Sequence, residues 1–75
     1  MDLSQVKKYM NKPVYYDTGQ INFEGCSIKE FIMTGCMLRK RRKDGQFYYK
    51  AELREDSRKS IIIVDLAKVL TENDV

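Results

Sequence analysis

Cys36-Met37-Leu38-Arg39-Lys40-Arg41-Arg42-Lys43-Asp44-Gly45-Gln46-Phe47-Tyr48-Tyr49-Lys50-Ala51-Glu52-Leu53 is the stretch whose reading decides the fold. Two β-rich runs flank Asp44-Gly45, the pair favoured in two-residue hairpin loops. With Lys43 opposite Gln46, Leu38 faces Ala51 and Cys36 faces Leu53, so small and apolar residues share one face of the ribbon. The other face then pairs Arg41 with Tyr48, Arg39 with Lys50 and Met37 with Glu52. A three-residue loop would slip the pairing by one and set Leu38 against a charged side chain, which is costly wherever a face is buried. The sequence therefore predicts a long central hairpin in the even register.

Upstream, the β-rich run from Ser27 to Arg42 is broken only by Gly35, where a bulge or bend is expected. Before it, Ile21 and Phe23 alternate with polar residues as in a half-buried strand that ends at Gly25. Val14-Tyr15-Tyr16, closed by the turn residues Asp17-Thr18-Gly19, reads as the first strand. Asp2 to Asn11 reads as a short helix, with Asp2 or Ser4 as its cap, Leu3, Val6 and Met10 at helical spacing, and Pro13 as its end.

Downstream of a polar turn over residues 55–59, Ser60-Ile61-Ile62-Ile63-Val64-Asp65-Leu66 reads as a strand covered on both faces, the second by the N-terminal helix. Ala67 to Leu70 is expected to form a single helical turn and residues 71–75 a polar tail that frays. The order of elements predicts a mainly β fold. It is a small five-stranded SH3-like barrel over residues 13–70, with an OB-like barrel as the alternative, a short N-terminal helix within 1–12 and a late helical turn.

Seventy-five residues support one core, so a single domain spans 1–75. No run approaches the roughly 18 apolar residues of a membrane span, and no signal peptide is visible at Met1-Asp2-Leu3-Ser4. A cytoplasmic protein without membrane contact is expected. Cys26 and Cys36 read as reduced thiols that fill space among β neighbours. There is no histidine. The commonest general base and metal ligand is thus missing, and two cysteines ten positions apart are too few for structural zinc. Neither a catalytic site, nor a metal, nor a cofactor is expected, and the dispersed glycines form no phosphate cradle.

Charge is concentrated. Arg39, Lys40, Arg41, Arg42 and Lys43 hold five of the fourteen basic residues, which leaves nine positive and eleven negative charges elsewhere. On the hairpin they stand opposite Phe47, Tyr48 and Tyr49, and these eight residues are the candidate binding site. Cations beside rings on a protruding ribbon suit a phosphate backbone with unpaired bases. The same charges also keep a hairpin soluble and its edges unpaired.

At Met33-Thr34-Gly35-Cys36-Met37-Leu38-Arg39, Tyr49-Lys50-Ala51-Glu52-Leu53 and Ile62-Ile63-Val64-Asp65-Leu66-Ala67-Lys68-Val69, about half the chain resembles small proteins of no assigned activity carried on mobile elements of Gram-positive bacteria. The resemblance implies a bacterial accessory protein with an SH3-like barrel, in a setting that favours nucleic-acid contact.

The functional expectation is a non-catalytic binding module. Contact with a protein partner through an outward Tyr-bearing sheet face ranks first, since one of Tyr15/Tyr16 and one of Tyr48/Tyr49 should point outward. Nucleic-acid contact through the basic-aromatic hairpin, residues 39–50, ranks second. The chain is expected to be a monomer or a weak homodimer.

Overall fold

The computed structural model describes residues 1–20, 25, 27–55, 57 and 59–75. A 3-10 turn, Leu3–Gln5, runs into a one-turn helix α1, Val6–Tyr9, and four strands follow: β1 Pro13–Asp17, β2 Ile28–Lys40, β3 Phe47–Glu55 and β4 Ser60–Asp65. A second 3-10 turn, Leu66–Lys68, comes after β4. The strands form one antiparallel sheet in the order β1-β2-β3-β4. The sheet is open in its ladders, so four strands stand among the described residues where five were expected. The strand expected at Ile21 and Phe23 lies outside the described residues.

Beyond the last 3-10 turn the chain returns to the first strand. Tyr15 N–H donates to Leu70 C=O at 2.8 Å and Leu70 N–H donates to Tyr15 C=O at 2.7 Å. This single bridge lies on the side of β1 away from β2.

The helix stops before Pro13. Asn11 takes a φ of 61°, a left-handed conformation that asparagine tolerates better than most residues, and its N–H donates to Met33 C=O at 2.7 Å. At the other end Gln5 Oε1 accepts from Asp2 N–H at 3.1 Å.

Gly35 marks the expected irregularity. Met33 pairs with Leu53 and Gly35 with Glu52, so Thr34 is one extra residue in β2. Its hydroxyl donates at 3.1 Å to Glu52 Oε2. The bulge puts Phe31, Met33 and Cys36 on one face of β2, opposite Ala51 and Leu53 of β3. That face carries the core, built from Tyr9, Val14, Phe31, Met33, Ala51, Leu53, Val64, Leu66 and Val69.

The helix covers this same face, with Tyr9 buried and Val6 packed beside it. It does not cover a second face of β4, as the run of isoleucines suggested. Ile62 and Val64 turn inward, whereas Ile61 is 56% and Ile63 47% exposed. Three consecutive isoleucines therefore belong to a half-buried edge strand. The tail is tied more firmly than its polarity suggests: Thr71 is buried, and its N–H and hydroxyl both donate to Asp74 Oδ2, at 2.8 and 3.0 Å.

Candidate functional site

β2 and β3 extend past the core as a projecting arm of a molecule that measures 41 × 26 × 25 Å. Their pairing keeps the predicted faces but sits two residues nearer the turn: Lys40 faces Phe47, Arg39 faces Tyr48, Leu38 faces Tyr49 and Cys36 faces Ala51. The reason is the turn itself. A two-residue Asp-Gly loop needs positive φ at both positions, and only Gly45 has it, at 71°. Arg42, Lys43 and Asp44 instead form a helical turn. Arg41 N–H donates to Gln46 C=O and Gly45 N–H to Arg41 C=O, each at 2.8 Å. Asp44 Oδ1 accepts from Gln46 N–H at 3.0 Å and fixes the exit of the loop.

All five residues of the basic run, Arg39, Lys40, Arg41, Arg42 and Lys43, are exposed. Arg41 reaches Asp44 at 3.7 Å. Among the described residues no carboxylate lies within ion-pair distance of the other four. Phe47 is 65% exposed and its ring lies 5.9 Å from Lys40 Nζ. The two share the face that carries the core further down, with Leu38 also exposed between them and the body.

On the opposite face Tyr48 is flanked by two cations, Arg41 at 5.9 Å and Lys50 at 5.7 Å from the ring centre. Lys50 in turn pairs with Asp65 at 3.2 Å, which anchors the base of the arm to the end of β4. The structure thus brings the eight predicted residues together at one end of the molecule. It adds Leu38 and Lys50, which the sequence pairing had set against Ala51 and Arg39. A mixed apolar and charged sequence hides such residues until the length of the loop is known.

An open groove of about 680 Å³ lies at the base of the arm, lined in part by Asp2, Arg41, Tyr48, Tyr49, Lys50 and Asp65. Both signs of charge meet there, while the tip beyond it sets Arg39, Lys40, Arg42 and Lys43 against the carboxylate of Asp44. None of the tyrosines is exposed: Tyr9 is buried, and Tyr15, Tyr16, Tyr48 and Tyr49 are half-buried.

Cys36 is a half-buried free thiol at the root of the arm, and burial pushes its pKa up, away from the reactive thiolate. Cys26 lies outside the described residues. Among the described residues no three histidine, cysteine or acidic side chains cluster as a metal site would need. No helix among them is long and apolar enough to cross a membrane. No protein-family model, no curated protein and no solved structure matches this chain.

Proposed function

We propose that this protein is a binding module that holds single-stranded nucleic acid along the tip of its β2–β3 arm. The observation that carries the reading is Phe47, an aromatic ring 65% exposed at the end of a strand, 5.9 Å from Lys40 Nζ and next to a basic run of which four members have no carboxylate partner among the described residues. A ring with no part in the core offers a stacking platform for an unpaired base, and stacking is indifferent to sequence. Arg39, Lys40, Arg42 and Lys43 supply the charges that displace counterions from a phosphate backbone. Edge protection alone would account for the lysines and arginines, but it gives no reason to leave a phenylalanine in water among them.

Protein contact through a tyrosine face has less support, because none of the tyrosines is exposed. The SH3-like barrel belongs to this reading too. The return of Leu70 to Tyr15 favours a sheet that bends toward closure and leaves the arm as its outlying part.

Titration of labelled single-stranded oligonucleotides at low salt tests the proposal. Binding is expected, and Phe47→Ala and the double change Arg42→Ala/Lys43→Ala should each weaken it. If neither single- nor double-stranded oligonucleotides bind at low salt, the proposal fails. Capture of a protein partner that Phe47→Ala abolishes would then assign the tip to protein contact.

A further inference from the structure

β4 is an edge strand of six residues, has no proline or internal charge, and pairs regularly with β3 along its whole length. Natural sheets blunt such edges with charge, proline or a bulge, and an uncovered apolar edge is a template for another strand. The phase of its hydrogen bonds follows from the hairpin. Arg41 N–H donates to Gln46 C=O, so residues 46, 48, 50 and 52 turn their main-chain groups toward β2. Residues 51, 53 and 55 then turn toward β4, where they meet Val64, Ile62 and Ser60. Ile61, Ile63 and Asp65 turn their N–H and C=O groups to the other edge, where no strand of the described residues pairs with them, and Ile61 and Ile63 are also the exposed isoleucines.

We infer that this edge pairs with β4 of a second copy of the chain, antiparallel and two-fold symmetric about Ile62. In that register Ile61 of each protomer faces Ile63 of the other, and both belong to the set whose main-chain groups are open, as an antiparallel ladder requires. The ends match as well. Lys59, exposed in the left-handed turn (φ 54°) that leads into the strand, lies at the end that comes beside Asp65 of the other copy, whose carboxylate is partly exposed next to Lys50. Shifting the pairing by two residues in either direction sets Ile61 or Ile63 against itself and removes the Lys59–Asp65 match. The apolar pattern, the charges and the hydrogen-bond phase thus select one register and one occupant. Sharing one short edge buries less than a stable complex needs, so the dimer is weak and concentration-dependent. The inference concerns a surface apart from the arm and stands whether or not the tip binds nucleic acid.

Sedimentation equilibrium from about 1 μM to about 1 mM tests it, a range suited to interfaces of the smallest size class. The mass should rise from the 8.9 kDa of one chain toward twice that value. The double variants Ile61→Lys/Ile63→Lys and Ile61→Asp/Ile63→Asp should each stay monomeric, since both Ile61–Ile63 contacts of the interface then join like charges. An equimolar mixture of the two should form a heterodimer, a result that misfolding cannot imitate. A native chain that stays monomeric throughout, a mass of three or more chains, or a dimer that survives Ile61→Lys/Ile63→Lys would each overturn the inference.

Discussion

The most discriminating perturbation of the arm is ionic strength. Four exposed cations at the tip, Arg39, Lys40, Arg42 and Lys43, have no carboxylate partner among the described residues, whereas Arg41 is partly satisfied by Asp44 at 3.7 Å. Each phosphate contact on a single strand contributes about −0.7 to the slope of log affinity against log salt, so four contacts give about −2.8. Raising salt from about 50 to about 200 mM should then weaken binding about fiftyfold. Removing Arg42 and Lys43 together should halve the slope to about −1.4, and the same change of salt should cost only about sevenfold. Phe47→Ala acts differently. Loss of one stacked base is worth ~1–3 kcal/mol, roughly 5- to 150-fold in affinity, at an unchanged salt slope. Fluorescence anisotropy of a labelled oligothymidylate at several salt concentrations measures all three. A slope that Arg42→Ala/Lys43→Ala leaves intact would refute the assignment of the phosphate contacts to the tip. A slope that Phe47→Ala flattens would refute the division of labour between ring and cations.

Other expectations concern the fold. Leu53 is fully buried between Met33 and Ile62, and Leu53→Ala should cost about 2–5 kcal/mol, a large share of the ~4–11 kcal/mol expected of a chain this size, as read from a urea midpoint. Deleting Thr34 leaves Phe31, Met33 and Cys36 at regular two-residue spacing on one face, so the variant should keep its β signal in circular dichroism and lose only the stability that the Thr34–Glu52 hydrogen bond and the local bend supply. Gly45→Ala should cost ~1–2 kcal/mol at a φ of 71°, and Gly45→Asn less, by thermal unfolding. The carboxyl of Asp74 is held below its ordinary pKa by hydrogen bonds from the Thr71 N–H and hydroxyl. Its stabilising effect is therefore present above the ordinary carboxylate range and lost as pH falls through the lowered value. A carbon-13 titration of that carboxyl should show a midpoint below that of an unstructured aspartate, and Thr71→Val should raise it.

Much of this architecture is legible in the residues. Pro13, the Asp17-Thr18-Gly19 turn and Gly35 mark boundaries through backbone restrictions that tertiary contacts rarely override. The two faces of the central hairpin are legible too, because alternation survives any shift of the pairing by two. The shift itself is not. Asp-Gly suits a type I′ loop, but it also suits a helical turn closed by glycine, and the bulky basic residues before it take the second course. At β4 the ambiguity is of another kind. Three consecutive isoleucines look the same in a strand buried on both faces and in an edge strand that leaves one side apolar. Only the position of α1, which is spent on Tyr9 and the inner face, decides between them. The candidate site was legible as a cluster, since cations and rings stand in adjoining runs. Which ring reaches solvent was not, because it depends on how far the arm outruns the core.

Thr34 has a consequence for how the protein tolerates change. β2 is thirteen residues long, and one inserted residue near its middle reverses which of its positions look inward. Before Thr34 the sensitive positions carry odd numbers, Phe31 and Met33. After it they carry even ones, starting at Cys36. A saturation scan along this strand should therefore show a two-residue rhythm with a phase slip at Thr34, strong on the body side and fading along the arm. On β3, which has no inserted residue, the rhythm should run unbroken from Leu53 to Phe47. Two neighbouring strands would thus beat in step at the tip and in step at the core only because one of them skips.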